Sequence, residues 1–107
     1  MKTKSLALVL FLAISGSALA ASGDASVGKK KSVTCAVCHG ENGMSPSPEF
    51  PSLAGQYADY LESSIRHYQN GKRKNPIMQA QVKDLKAKDI MDLAAYFSSQ
   101  KGLQVKH

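Results

Sequence analysis

The pattern of apolar and polar residues predicts three helices in this chain of 107 residues, over 24–33, 56–70 and 87–100. In the second and third segments the apolar residues recur every three or four positions, which would place them on one face of a helix. The first segment is a weaker helix on propensity, because it carries three consecutive lysines and β-branched residues. No segment alternates apolar and polar residues with a period of two, so the pattern predicts an all-α domain.

The first 20 residues have the pattern of a secretory signal peptide. Lys2 and Lys4 precede an unbroken apolar run over 6–14, and small residues ending in Ala-Leu-Ala follow it. That run holds nine residues, whereas a membrane-spanning helix needs about 20. We therefore expect residues 1–20 to be removed on export to the periplasm, which leaves residues 21–107 as a single domain that does not span the membrane.

The mature domain is small, and its size indicates that something besides side chains completes its core. Domains of around 80 residues and below usually depend on disulfides, metals or a cofactor, and residues 21–107 number 87. The chain has only two cysteines, which excludes a scaffold of several disulfides. Long irregular segments rich in Gly, Pro, Ser and Asn separate the predicted helices, and they too need a surface to pack against.

The two cysteines belong to one short motif, Cys35-Ala36-Val37-Cys38-His39. Two thiols three positions apart match covalent haem attachment, in which each sulfur adds to one vinyl group of the porphyrin. The imidazole that follows at once would then be held against the iron. The motif therefore predicts one covalently attached haem c, with Cys35 and Cys38 as attachment points and His39 as an axial ligand.

Three other interpretations fit the motif less well. A thiol–disulfide redox centre usually follows a strand, and no strand is predicted before Cys35. A zinc ion needs four ligands, so the motif would have to recruit His67 or His107, and adjacent cysteine and histidine residues suit one tetrahedral ion poorly. A structural disulfide between Cys35 and Cys38 would leave His39 and the incomplete core unexplained.

The ligand on the other side of the iron decides the function, and three methionines of the mature chain compete for it. Met91 lies within the third predicted helix, where a packed side chain is the ordinary role. Met44 follows His39 by five residues, and its loop would have to turn round the ring while still supporting His39. Met78 lies in an irregular segment, Asn75-Pro76-Ile77-Met78-Gln79, well separated from the motif in sequence. It is the best candidate of the three.

Methionine opposite histidine favours electron transfer. A neutral thioether and a neutral imidazole give a six-coordinate, low-spin iron whose geometry changes little on reduction. The sequence offers no acid–base pair suited to catalysis, so we expect an electron carrier rather than an enzyme. Two alternatives stay open: a haem subunit fixed in a larger dehydrogenase or reductase complex, and a haem protein that binds small ligands when Met78 is displaced.

The chain resembles the class I cytochromes c, in particular the small bacterial monohaem proteins and the halves of the diheme bacterial type. Five pieces carry the resemblance: Gly28-Lys29, Cys35 to Gly40, Phe50 to Gln56, Arg73 with Asn75 to Met78, and Asp89 to Phe97. The resemblance implies an all-α cytochrome c fold of three to four short helices and loops wrapped around the haem. It also implies that the first and last helices cross where Gly28 approaches Leu93 or Phe97, and that Met78 is the distal ligand.

The resemblance also suggests roles for residues outside the motif. The carbonyl of Pro51 would accept the Nδ1 proton of His39, which fixes the tautomer of the ring and leaves Nε2 for the iron. Arg73 falls where this family often places groups near the haem propionates, as do Gln56 and Tyr57. An exposed position in the basic run around Arg73 is the alternative for that residue.

Two departures from the family pattern concern the first and third helices. Lys86 stands where a serine or threonine commonly caps the third helix, and loss of that cap costs about 1 kcal/mol. Three lysines occupy the first helix where smaller or apolar residues are usual.

The spacing of Asp84, Lys88 and Asp92, four residues apart around the start of the third segment, suits two ion pairs.

The charge balance is basic, with 14 lysines and arginines against 8 acidic residues and a formal net charge of +6. That balance favours acidic partner proteins, and an exported protein rarely meets nucleic acid. If the basic residues of 72–88 surround the exposed haem edge, they would attract acidic redox partners, and electron exchange would slow as salt rises.

Overall fold

The computed structural model of the chain describes residues 3–5, 7–10 and 22–102. Within these ranges the protein forms five helices and no strand, which confirms the all-α expectation. The helices are α1 (Ala25–Lys31), α2 (Val33–His39), α3 (Ala58–Gln69), α4 (Pro76–Val82) and α5 (Ala87–Ser99).

The predicted signal peptide lies mostly outside the described residues, as does His107. Of residues 1–20, the structure describes 3–5 and 7–10, and these form neither helix nor strand. In the part of the chain that the structure describes, no helix has the length and apolar character needed to cross a membrane. Cleavage after residue 20 stays a prediction.

The first predicted helix continues through the cysteine motif. α1 and α2 are separated by Ser32 alone, whose φ and ψ of −78° and −3° are nearly helical and whose hydroxyl donates to the Lys29 carbonyl at 2.7 Å. The prediction ended this helix at Val33 and described it as weak, partly because valine and threonine have low helix propensity. The whole motif is therefore helical, and the described chain has five helices where three to four were expected.

α4 lies where the sequence analysis expected an irregular segment, and that expectation is wrong. The Asn75 side chain accepts hydrogen bonds from the backbone N–H groups of Ile77 at 3.0 Å and Met78 at 3.1 Å. Pro76 is the first helical residue. An asparagine cap followed by proline is a common helix start, so the signal was present in the sequence. Met78 consequently lies on the first turn of a helix.

The core lies between α5 and the helices α1 and α3, which pack against it. The predicted apolar face of α5 is confirmed, since four of its members are nearly inaccessible to solvent: Ile90, Leu93, Ala94 and Phe97. Leu61 of α3 joins this core, but Tyr57, an apolar-face residue of the second predicted segment (56–70), is 77 % exposed. Tyr57 precedes the first residue of α3 and has an extended backbone, so helical spacing does not apply to it.

Gly28 lets α1 approach the backbone of α5. It is buried, and a Cβ atom placed on it would overlap the carbonyl oxygen of Asp92 and lie 2.8 Å from Cβ of Tyr96. The predicted contact between the first and last helices is therefore present. It lies one residue before the positions expected on α5, Leu93 and Phe97.

A buried carboxylate ties the lysine-rich α1 to α5. Asp92 is inaccessible to solvent and accepts a hydrogen bond from the Asp24 backbone N–H at 2.8 Å. The ammonium groups of Lys31 and Lys88 also donate to it, at 2.8 and 2.9 Å. These donors, the Asp24 N–H first, hold the pKa of Asp92 well below its ordinary value. The predicted pair of Lys88 with Asp92 is present, whereas none joins Asp84 to Lys88 among the described residues.

The start of α5 is capped by the side chain of Asp89 and not by the residue at the N-cap position, Lys86. Lysine offers no hydrogen-bond acceptor, but Asp89 accepts from the Lys86 backbone N–H at 2.9 Å. Asp89 also pairs with Lys31 at 2.7 Å. The missing serine or threonine is therefore partly compensated, and the start of α5 is joined to α1.

Candidate haem-binding site

α2 carries the functional residues of the motif on one side. Positions i, i+3 and i+4 of a helix share a face, so Cys35, Cys38 and His39 point the same way. Cys35 packs against the core formed by α3 and α5, both thiols are half-buried, and His39 is 6 % exposed. Val33 and Val37 are 68 % and 82 % exposed. The reactive side chains therefore face the protein interior, and the two valines face solvent.

The surroundings of the motif do not favour a redox thiol or a zinc site. Burial raises the pKa of the Cys35 thiol, whereas reactive thiols of redox centres have lowered pKa values. Among the described residues, no three histidine, cysteine or acidic side chains lie close enough together to hold a metal ion. Within that part of the chain His67 does not join the motif, and His107 lies outside it.

A carbonyl oxygen fixes the ring of His39. Its Nδ1 atom lies 2.7 Å from the carbonyl oxygen of Pro51, the contact that the family resemblance implied. A carbonyl can only accept a hydrogen bond, so Nδ1 carries the proton. In the neutral ring this tautomer places the free lone pair on Nε2, where it can bind a metal ion.

The loop between α2 and α3 places Pro51 by folding back on Gly43. The Gly43 carbonyl accepts hydrogen bonds from the backbone N–H groups of Leu53 at 2.7 Å and Ala54 at 3.1 Å. Gly43 has a φ of 86°, and a Cβ there would lie 2.8 Å from the Ala54 nitrogen and 2.9 Å from Cδ1 of Phe97. A side chain is therefore excluded at this position. The sequence analysis missed Gly43, although the Asn42-Gly43 pair is a turn signal.

Two hydrogen bonds fasten this loop to α5. The hydroxyl of Tyr96 donates to the Glu41 carbonyl at 2.8 Å, and the Gly55 backbone N–H donates to the Phe97 carbonyl at 2.9 Å. Tyr96 and Phe97 are both buried, with their ring centroids 5.0 Å apart. The last helix therefore holds both ends of the loop that supports His39.

Met78 is half-buried on α4, which packs against α3. At the end of α3, the side-chain amide of Gln69 donates to the carbonyls of Val82 at 2.8 Å and Leu85 at 2.9 Å. These bonds hold the end of α4 and the turn into α5 against α3. Met78 thus lies on an element that is anchored separately from α2.

Arg73 lies along α3. Its guanidinium carbon is 5.1 Å from the ring centre of Tyr68, and the group donates to the Ser64 hydroxyl at 3.3 Å. Its backbone N–H donates to the His67 carbonyl at 2.9 Å. The side chain of Gln56 accepts a hydrogen bond from the next backbone N–H at 3.0 Å. The expected roles of both residues near haem propionates stay predictions.

Large apolar side chains are uncovered on the elements that carry Met78 and the start of α3. Tyr57 is 77 % exposed, Tyr60 51 % and Ile77 63 %. Exposed apolar side chains of this size suit contact with a large apolar group. The two free thiols and the imidazole on one face of α2 suit an attached group that contains a metal. The residues present therefore fit a haem.

Comparison with known proteins assigns the chain to a family. A family model described as cytochrome C oxidase, cbb3-type, subunit III, matches residues 18–97. Cytochrome c4 of Pseudomonas aeruginosa is 44 % identical over 96 residues, which cover 90 % of this chain and 47 % of that protein. Cytochrome c-554(548) of Halomonas halodenitrificans is 47 % identical over 81 residues, which cover 73 % of this chain and 98 % of that protein. The chain belongs to the cytochrome c family.

This cytochrome also matches a solved structure, that of reduced recombinant cytochrome c4 from Pseudomonas stutzeri. The TM-score is 0.73 at 41 % sequence identity, and the match covers 77 % of this chain and 48 % of that one. The chain spans about half the length of the cytochrome c4 relatives it matches. The match confirms the cytochrome c fold and the resemblance to class I cytochromes c. Family membership identifies the protein as a cytochrome with covalently bound haem c.

Proposed function

We propose that this cytochrome carries single electrons with one haem c, bound through thioether bonds to Cys35 and Cys38, with His39 and Met78 as axial ligands of the iron. When bound, the haem supplies an iron that accepts and releases one electron at a time. The observation that carries the proposal is the 2.7 Å contact between His39 Nδ1 and the Pro51 carbonyl. It leaves Nε2 as the free nitrogen of the ring, on the same side of α2 as both thiols.

The cysteine content of the chain supports a single haem. Covalent attachment of this kind uses two thiols, and Cys35 and Cys38 are the two cysteines of the sequence. Both attachment points and His39 lie on one helix, α2. That helix would hold His39 in place relative to an attached haem, so little rearrangement of these residues would accompany electron transfer.

Met78 suits the second axial position better than the other methionines of the described chain. Met44 is 39 % exposed and lies in the loop that supports His39. Met91 lies on α5, half-buried beside the apolar face of that helix. Met78 is half-buried on the first turn of α4, where Asn75 caps the helix. As an iron ligand, its neutral thioether would favour the ferrous state.

Replacing Met78 by alanine in the haem protein tests this assignment. We expect the methionine-to-iron charge-transfer band of the oxidised protein to disappear, because the thioether is its source. Met44→Ala and Met91→Ala are the matched controls, and both should keep the band. A band that survives in Met78→Ala and is lost in one of the controls would transfer the role to that methionine.

We also propose that residues 1–20 are a signal peptide and that the mature protein works in the periplasm. The basic start, the apolar run of nine residues and the small residues after it support this proposal. Amino-terminal sequencing of the exported protein should begin at Ala21. A mature chain that retains Met1 would contradict it.

The partners that we propose are redox proteins with acidic docking surfaces. Lys72, Lys74 and Lys83 are exposed before and after α4. Unlike Lys31 and Lys88, they form no ion pair within the described ranges, so their charge is available to a partner. Electron exchange should therefore slow as ionic strength rises. Rates that do not depend on salt would remove this argument.

A second candidate function is that of a haem subunit held in a larger dehydrogenase or reductase complex. Val33 and Val37 favour it, because two exposed aliphatic side chains one helical turn apart suit burial at a protein interface. Gel filtration of a native extract separates the two functions. A free carrier elutes at the size of the isolated protein, whereas a subunit elutes with a larger chain and is released by Val37→Lys.

A further inference from the structure

Two serines form a clasp beside the contact between His39 and Pro51. The backbone N–H of Ser45 donates to the hydroxyl oxygen of Ser52 at 2.9 Å. Ser52 follows Pro51 directly, so the carbonyl that accepts from His39 belongs to the peptide group joining Pro51 to Ser52. This serine clasp therefore holds one end of that peptide group.

The rest of the loop leaves the same peptide group little freedom. The proline ring restricts φ of Pro51, and the Leu53 backbone N–H donates to the Gly43 carbonyl at 2.7 Å. Ser45 is itself held, because its hydroxyl donates to the Ser47 carbonyl at 2.7 Å. The clasp thus fixes Ser52, which lies between the restricted Pro51 and the hydrogen-bonded Leu53.

We propose that Ser52 is a positioning residue that sets the strength of the hydrogen bond from His39 to Pro51 and, through it, the reduction potential of the iron. The inference rests on the proposed function, because it takes His39 as an axial ligand. Ser52 acts through the backbone, since its hydroxyl bonds to Ser45 and its peptide group bonds to His39.

The direction of the effect follows from the electron density on the imidazole. A strong acceptor at Nδ1 gives the ring part of the character of an imidazolate and makes Nε2 a more basic ligand. A more basic ligand stabilises ferric over ferrous iron and lowers the potential. Loosening the Pro51 carbonyl weakens the hydrogen bond and should raise the potential.

Ser52→Ala in the haem-loaded protein removes the acceptor of the clasp. We expect the ratio of reduced to oxidised protein at a fixed ambient potential to rise about two- to fivefold, the equivalent of losing part of one hydrogen bond. For one electron this corresponds to about 20 to 40 mV. The Nδ1 proton of His39 should also exchange with solvent faster, as measured by NMR of the reduced protein. Ser52→Thr keeps the hydroxyl and should restore both values.

Ser47→Ala is the matched control. Ser47 lies in the same loop, and its hydroxyl accepts from the Glu49 backbone N–H at 3.3 Å. Ser47 contacts the Ser45 hydroxyl through its backbone carbonyl and N–H groups, which the substitution keeps. This variant should change neither the potential nor the exchange rate of the His39 proton.

Lower thermal stability of Ser52→Ala with an unchanged potential and exchange rate would make Ser52 a purely structural residue and overturn the inference. Failure of the proposed function gives a different result. In that case the oxidised wild-type protein would lack a hyperfine-shifted Nδ1 proton, because His39 would not bind the iron. A wild-type protein with that signal, and a Ser52→Ala variant indistinguishable from it, would overturn the inference alone.

Discussion

Replacing Gly28 by alanine tests the crossing of α1 and α5, because two physical effects predict opposite signs. In an exposed helix interior, alanine is more stable than glycine by about 1 kcal/mol. Gly28 is buried, however, and the added Cβ would overlap the Asp92 carbonyl oxygen and lie 2.8 Å from Cβ of Tyr96. Neither atom is the far end of a flexible side chain. The clash is therefore relieved by moving the two helices apart.

Overpacking of this kind costs about 1–3 kcal/mol, and separating the helices also stretches the hydrogen bonds that Asp92 makes to α1. Setting the upper end of that range against the gain in helix propensity gives a net loss of about 2 kcal/mol. For a domain of this size the midpoint temperature, Tm, should fall by about 8–16 °C. Thermal unfolding of the haem protein, followed by circular dichroism, measures it.

Lys30→Ala is the control for Gly28→Ala. Lys30 is exposed on the same helix, so its replacement should change stability by less than about 0.5 kcal/mol. An unchanged or raised Tm in Gly28→Ala would refute the close approach of the two helices, because helix propensity alone would then account for the result.

Two further predictions concern contacts of α5. The pKa of Asp92 is lower in the folded protein than in the unfolded chain, so its stabilising effect is present above about pH 4 and is lost as the pH falls through the folded value. Asp92→Asn should therefore lower Tm at neutral pH and flatten its decline below about pH 4, and an unaltered acid profile would contradict this. Tyr96→Phe leaves the Glu41 carbonyl without its 2.8 Å partner and should cost about 1 kcal/mol of unfolding free energy in chemical denaturation. Tyr60→Phe, at a half-exposed ring, should cost little, and equal losses in the two variants would refute the role of the hydroxyl.

The periodicity of apolar residues predicted α3 and α5 because these helices are long enough for a buried face to repeat. They contain 12 and 13 residues, whereas α2 and α4 contain seven each. Two helical turns hold too few residues for a period to stand out, so only local signals remain. The asparagine cap and proline at the start of α4 were such signals, while the β-branched residues of α2 pointed away from a helix.

The candidate site was predictable where its residues are contiguous and less so where they meet across the chain. The cysteine motif specifies its chemistry within five residues, but the contact of His39 with Pro51 followed from the family resemblance, because no regular element joins the two. Spacing predicted the pair of Lys88 with Asp92 but not the bond from the backbone of Asp24, which is 68 residues away. The Asn42-Gly43 pair predicts a turn, but the hydrogen bonds of the Gly43 carbonyl to the loop beyond Pro51 could not be predicted, because every residue has such a carbonyl.

The mass of the exported protein, taken together with its absorption spectrum, tests the central claim most directly. The account predicts the mass of residues 21–107 plus one haem, a c-type pyridine haemochrome spectrum and, in the oxidised form, the charge-transfer band of methionine-bound iron. A colourless and stably folded protein with both thiols free would contradict it.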